Sequence, residues 1–351
     1  MASVGRYGAR AVARGMTRTN RTALAATCCL LVACALAAAP PAQARFALGI
    51  ADQSPAMLAD PRFAALGVRH TRIVVPYDVA SDPAQLARYA PVIDGAQARG
   101  VRALVSFAAS ARTPRHLPSV AEFAREVRAF RARFPWVRDL GTWNEANHAA
   151  QPTGRHPGHA ARLYNALRAR CRGCRIVAAD VLDQAGFERW IRAFRRVARE
   201  PRIWGLHNYV DVNRMRDRSI GRLRAATGGR GQVWLTETGG VVRFARSFGY
   251  DERRAARSTR HVLRIAARRN VRRVYLYQWS GAPLGARWDS GLVAADGRAR
   301  PALNVVERFL RRPLTPLPPI PPIPRFPRAP DAPPDTGGVL GPDEPAAGAP
   351  A

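Results

Sequence analysis

Eight short runs rich in β-branched, aromatic and aliphatic residues recur along the middle of the chain, over residues 46–51, 70–75, 102–107, 137–143, 175–179, 203–209, 233–237 and 273–279. The stretches between them are longer and repeat their apolar residues at helical spacing. Phe123, Val127, Phe130 and Phe134 share one face of a helix expected over residues 120–134, and Trp190, Ile191, Phe194 and Val197 share one over residues 187–198. Strands that alternate with helices run parallel, because each helix carries the chain back to the edge where the last strand began. Eight such units in about 250 residues match a (β/α)8 barrel, whereas a doubly wound sheet more often stops near six strands. The expected fold is therefore α/β, a (β/α)8 TIM barrel over residues 45–312.

The two ends read differently. Arg6, Arg10, Arg14, Arg18 and Arg21, with no acidic residue among them, precede an apolar stretch over residues 22–39, and Ala42-Gln43-Ala44 places small residues at a cleavage spacing. Residues 1–44 are expected to be a signal peptide for a secreted or envelope-associated bacterial protein. The absence of an Arg-Arg pair favours the general secretory route over twin-arginine export. Leu31-Val32-Ala33-Cys34 resembles a lipobox that would acylate Cys34, but residues 35–41 stay apolar where a lipoprotein usually turns polar. At the other end, nearly half of the 29 prolines fall in residues 313–351, which predicts a disordered, polyproline-like tail.

Of the five cysteines, Cys28, Cys29 and Cys34 lie in the leader, and only Cys171 and Cys174 remain after it. This pair closes a predicted helix and does not open one, so a local disulfide is expected and not a redox site. No apolar run past the leader is long enough for a membrane span. Fifty-six basic residues, every one of them arginine, face 25 acidic residues and give a net charge of +31. Arginine-favouring codon usage accounts for the missing lysine; the functional alternative is attraction to an anionic cell-envelope polymer. Nucleic acid is not an expected partner, because no basic-aromatic motif of a nucleic-acid module occurs.

Polar residues that end barrel strands are the candidates for chemistry, because barrel active sites form at the carboxyl ends of the strands. Glu145 follows the fourth run, after Asn144, and Glu237 ends the seventh, before a Gly239-Gly240 break. Strands 4 and 7 lie across the lumen from each other, so both carboxyl groups can face one cleft. Glycosidic bond hydrolysis needs such a pair: a protonated acid for the leaving oxygen and an ionised carboxylate for the anomeric carbon. Burial and repulsion would keep Glu145 protonated, and donors around Glu237 would keep it charged. A strand-end glutamate paired with one of the many arginines is the plainer explanation for either residue alone. His156 and His159 could bind a metal, but no carboxylate is near them in sequence. No Gly-x-Ser-x-Gly elbow, dinucleotide-binding glycine motif, Walker lysine or zinc-type cysteine cluster occurs.

Thr142-Trp143-Asn144-Glu145 and Leu235-Thr236-Glu237-Thr238-Gly239 resemble the acid/base and nucleophile motifs of the clan A retaining glycoside hydrolases, with the nearest likeness to family 39 β-xylosidase-like and family 128 endo-β-1,3-glucanase-like proteins. The resemblance spans about residues 45–312. It departs at Ala146, where the family frequently has proline. It implies Glu145 as acid/base, Glu237 as nucleophile and Asn144 as the partner of the sugar 2-hydroxyl. It further implies Arg72 as the support for the ionised nucleophile, Tyr209 as its hydrogen-bond donor, His207 beside it in the lumen, and Trp279 as an aromatic platform under the sugar. Asp52, Asn147, His148 and Asp180 are candidates for further sugar contacts. No metal or cofactor is implied, and we expect a monomer acting on a polysaccharide or oligosaccharide. Two alternatives stay open: a glycan-binding envelope protein on a retired barrel, and a transglycosylase using the same two glutamates.

Overall fold

Eight parallel strands close into a barrel in chain order. In the computed structural model, which describes residues 46–311, they are β1 (Ala47–Ala51), β2 (His70–Pro76), β3 (Arg102–Ala108), β4 (Asp139–Gly141), β5 (Arg175–Leu182), β6 (Ile203–His207), β7 (Gln232–Thr238) and β9 (Arg273–Tyr277), while β8 (Arg243–Phe244) and β10 (Trp288–Asp289) pair antiparallel outside the barrel. The leader with Cys34 and the proline-rich tail lie outside the described residues. Pairing of β1 with both β2 and β9 closes the cylinder.

All eight expected strands are present, and several boundaries move. β4 keeps only three ladder residues, yet Thr142 N–H still donates to Val177 O at 3.1 Å and Asn144 N–H to Phe107 O at 2.6 Å. β5 runs on through Asp180 to Leu182. β6 stops at His207 because Tyr209 already begins a short helix.

The helices are α1 (Ala56–Ala59), α2 (Pro61–Ala65), α3 (Pro83–Ala98), α4 (Val120–Arg133), α5 (Pro157–Arg170), α6 (Phe187–Arg195), α7 (Tyr209–Asn213), α8 (Arg218–Ala226), α9 (Glu252–Arg268) and α10 (Pro301–Arg311). Their starts carry the expected chemistry. Asp82 accepts from Ala84 N–H and Gln85 N–H ahead of a first-turn proline, and Ser119 with Glu122 forms a capping box on α4. α4 buries Phe123, Val127 and Phe130, and Phe107 of β3 meets Phe123 and Phe130 edge to face. Cys171 and Cys174 are joined by a disulfide in the turn after α5. No helix among the described residues is long and apolar enough to cross a membrane.

The lumen is layered, and the layers decide where a site can be. Leu104, Val177, Ile203, Trp234 and Tyr275 form an apolar plug toward the amino ends of the strands. Above it Ser106 and Asp180 fill the centre, and Gly205 stays a glycine because a Cβ there would collide with the Asp180 carboxylate and the Thr236 hydroxyl. Only the carboxyl-end layer is left to hold polar groups against a ligand.

Candidate active site

Two irregular strands aim the acids of this layer inward. Gly205 pairs with Trp234 and His207 with Glu237, so β7 carries one more residue than β6 over this interval. Strict alternation from Trp234 and Thr236 would send Glu237 outward; the extra residue turns it into the lumen. The same count recurs between Val177–Asp180 of β5 and Ile203–Gly205 of β6, and it turns Asp180 inward. Glu145 reaches the lumen by another route. Its φ of 47° lies in the left-handed region, a strained conformation for a non-glycine residue. Flanking hydrogen bonds hold it there: Asn144 N–H to Phe107 O at 2.6 Å, Ala146 N–H to Asp180 O at 2.8 Å, and His148 N–H to Glu145 O at 2.8 Å.

Arg72 is the hub. Its guanidinium is fully buried and donates from Nη1 to Glu237 Oε2 at 2.7 Å and from Nη2 to Asn144 Oδ1 at 2.6 Å. Nη2 also meets Asp180 Oδ2 at 3.2 Å and His207 Nε2 at 3.3 Å. Burial alone would discharge this arginine, but the charges of Asp180 and Glu237 more than offset it and hold its pKa above the ordinary value. Because Arg72 can only donate, Asn144 must present its oxygen to it, and its NH2 group is the end left for a ligand.

Glu237 accepts a second bond from Tyr209 Oη at 3.1 Å. Burial pushes the Glu237 carboxyl above its ordinary range, and the Arg72 charge, the Tyr209 hydroxyl and the Arg72 hydrogen bond oppose it. Tyr209 is set in place by Asp183, whose carboxylate accepts from Val210 N–H at 3.2 Å and Asp211 N–H at 2.9 Å at the start of α7. Across the lumen, His207 Nδ1 lies 3.1 Å from Glu145 Oε1. Burial, reinforced by the Arg72 charge, holds His207 well below its usual pKa, so the ring is neutral. Its Nε2 faces an obligate donor, which leaves the proton on Nδ1, donated to Glu145.

Glu145, His207 and Glu237 each offer one atom within 4.8 Å of the others, the one group of metal-ligand type and spacing among the described residues. Arg72 already donates to two of these three side chains, and His207 donates to the third. A guanidinium against the donor set repels a cation, so the arrangement suits proton transfer and nucleophilic attack better than metal binding. His156 and His159 are not assembled as ligands: His159 Nε2 bonds Pro118 O at 2.7 Å, and His156 precedes α5 as its N-cap.

The structure thus brings Arg72, Asn144, Glu145, His207, Tyr209 and Glu237 together. Trp279 is placed elsewhere, which corrects its expected role as a platform. It is 2 % exposed, packs edge to face on Phe63 of α2, and donates from Nε1 to Asp60 Oδ2 at 3.3 Å. The strand ends two residues earlier, and the aromatic that continues the inward set of Arg273 and Tyr275 is Tyr277. Burial, with the charges of Glu237, Asp52 and Glu145, raises the Tyr277 hydroxyl well above its usual pKa, as expected for a ring beside both glutamates.

Three of the further sugar-contact candidates are engaged by the protein itself. Asp52 accepts from Ser54 N–H and Ser280 N–H, both at 2.8 Å, and ties the end of β1 to the segment after β9. Asn147 bonds both main-chain groups of Leu182, at 2.9 and 3.1 Å. Asp180 is fully buried beneath Arg72 as its counter-ion and accepts from Ser106 Oγ at 3.0 Å. His148 is 2 % exposed, and its Nδ1 accepts from Ala150 N–H at 3.3 Å.

No family model matches the chain, and no curated protein matches it. Solved structures do. A GH5_18 protein from Streptomyces cattleya in complex with GlcNAc superposes with a TM-score of 0.57 at 18% identity, over 78% of this chain and 81% of that one. A GH39 β-xylosidase from Caulobacter crescentus gives 0.55 at 18% identity, over 77% and 72%. A psychrophilic family 10 endo-β-1,4-xylanase gives 0.57 at 11% identity, over 76% and 98%. What the chain shares with these structures is the fold, a closed (β/α)8 barrel.

Proposed function

We propose that the protein is a retaining β-glycoside hydrolase with Glu145 as acid/base and Glu237 as nucleophile. The observation that carries this reading is the spacing: a carboxylate oxygen of Glu145 lies within 4.8 Å of one of Glu237. Retaining enzymes hold their carboxyl groups about 5–5.5 Å apart, so that one can attack the anomeric carbon, whereas inverting enzymes leave about 6.5–9.5 Å for a water.

The roles follow from the neighbours. Glu237 has a cation and a phenol on its two oxygens, which favour the ionised form needed for attack. Glu145 meets the neutral ring of His207 at 3.1 Å and can carry the proton required by the leaving oxygen. The glycosyl–Glu237 ester would then be hydrolysed by water activated by the deprotonated Glu145. The Asn144 amide is turned by Arg72 to donate toward the sugar. We further propose that the protein is exported, on the strength of its arginine-rich, acid-free leader.

The test is stereochemical. Proton NMR of the first-formed sugar from an aryl β-glycoside panel covering xylose, glucose and N-acetylglucosamine should show the β-anomer appearing before mutarotation. An α-anomer at the earliest times would overturn the retaining assignment, and absence of turnover on the panel and on β-glucans and xylans would favour the glycan-binding alternative.

A further inference from the structure

A cavity lies at the other end of the barrel. The loops that lead into β3, β4 and β5 surround a cavity of about 540 Å³, a size ordinary for a small-ligand site. Each loop brings an arginine to it: Arg102, Arg138 and Arg175. A backbone bond joins two of them, Arg175 N–H to Arg138 O at 2.9 Å, and Arg102 is fixed at the start of β3 by its N–H to Arg69 O at 2.9 Å. The Cys171–Cys174 disulfide closes the turn that places Gly173 and Arg175 in the lining. Apolar surface completes the cavity, from Trp136 and from Ile93, Val101 and Val137.

No acidic residue lines this space. The nearby Asp139 is buried and already paired twice, with Arg175 Nε at 2.6 Å and Arg273 Nη1 at 2.5 Å. Among the described residues Arg102 and Arg138 have no carboxylate partner. Their field is felt by their neighbours. His70, which pairs with Arg102 across β2 and β3, is pushed down to about 4 by burial and then by Arg273, Arg102 and Arg175. Arg131 is lowered by burial and by Arg138.

We propose that this cavity binds an acidic saccharide, with uronic carboxylates received by Arg102 and Arg138 and a sugar face laid on Trp136. Two unpaired guanidiniums supply forked donors that match a carboxylate. The indole and the aliphatic lining suit the C–H face of a sugar ring and are of no use to a bare inorganic anion. The site is separated from Glu145 and Glu237 by the apolar plug of the lumen and does not depend on the catalytic reading.

Titration calorimetry of the full chain with trigalacturonate, and with cellotriose as neutral control, tests it. Glu237→Gln is used as the parent, so that hydrolysis cannot interfere. Trigalacturonate should bind, and Arg102→Ala/Arg138→Ala should weaken it at least about tenfold, the scale of two lost charge-assisted contacts. The control is Arg257→Ala/Arg260→Ala on the exposed face of α9, which removes the same charge elsewhere and should leave affinity within about twofold. Equal losses in the two double variants would mean diffuse charge attraction and overturn the site. So would equal binding of cellotriose, no binding of trigalacturonate, or stronger binding of inorganic triphosphate or a nucleoside triphosphate at the same arginines. Circular dichroism and unchanged glycosidase activity of the double variants in the wild-type background distinguish a lost ligand from a lost fold.

Discussion

Arg72 on β2 and Glu237 on β7 meet at 2.7 Å in full burial, and this contact sets the charge state of the cleft. The desolvation of Glu237 already raises its pKa, and Arg72 supplies the largest opposing contribution. Removing Arg72 therefore moves Glu237 further up. A nucleophile must be ionised, so the acid limb of kcat/KM for Arg72→Met should shift to higher pH, and kcat at neutral pH should fall by about 10²–10³-fold. An unshifted limb would mean that Glu237 is not the group titrating there. Asp180 loses its cation in the same variant, so stability to urea should drop by about 3–5 kcal/mol. Arg72→Lys, which keeps the charge but not the fork, should recover part of the stability and less of the rate.

His207 gives a prediction that is independent of turnover. Its Nε2 faces the Arg72 guanidinium at 3.3 Å and its Nδ1 faces Glu145 at 3.1 Å. Nitrogen-15 NMR should find a neutral ring with the proton on Nδ1 and no titration near its ordinary value of 6.5. His207→Phe should fold normally yet lose about 100-fold in kcat, because Glu145 is no longer oriented. An Nε2-protonated ring would contradict the proposed donor direction.

Much of this is legible in the sequence, because strand ends in a barrel converge on one mouth and the polar residues that end or follow the eight apolar runs are therefore the candidates. Arg72, Asn144, Glu145, His207, Tyr209 and Glu237 were found that way or through the family resemblance. What alternation cannot supply is depth. Asp180 and Glu237 are both strand-end acids on paper, yet two bulges place one beneath Arg72 and the other beside Tyr209. Trp279 and Tyr277 share a parity, and only the point where β9 leaves the barrel decides between them. The two-residue strands β8 and β10 are too short to produce a period, although Trp288 on β10 packs edge to face on Tyr209 at 5.1 Å.

Tyr277 and Trp279 should accordingly fail in different assays. Tyr277→Ala removes a ring beside both glutamates and should impair kcat/KM by at least about tenfold, with a change in melting temperature of only a few degrees. Trp279→Ala empties a buried position between Phe63 and Asp60 and should cost about 3–5 kcal/mol of stability, with near-normal kinetics on the folded fraction. The reverse pattern would restore Trp279 as the sugar platform.

The two glutamates are separated by role when each is replaced by alanine, since a nucleophile and an acid/base leave different gaps. Glu237→Ala should abolish turnover of every substrate, because no covalent intermediate can form on the vacated side of the sugar. Azide can enter that space, attack the anomeric carbon opposite the leaving group and restore activity, giving the inverted glycosyl azide. Glu145→Ala should instead spare the first step for aryl glycosides whose leaving group needs no proton, and the covalent intermediate should accumulate because no base activates water. Azide, which needs no such base, should then release the sugar with retained configuration. The 4.8 Å bound on the carboxylate separation requires both signatures to come from one cleft. If they appear exchanged, the proton donor is Glu237 and the nucleophile Glu145; if both variants keep wild-type rates on a good substrate, the catalytic pair lies elsewhere and the hub around Arg72 is a binding site.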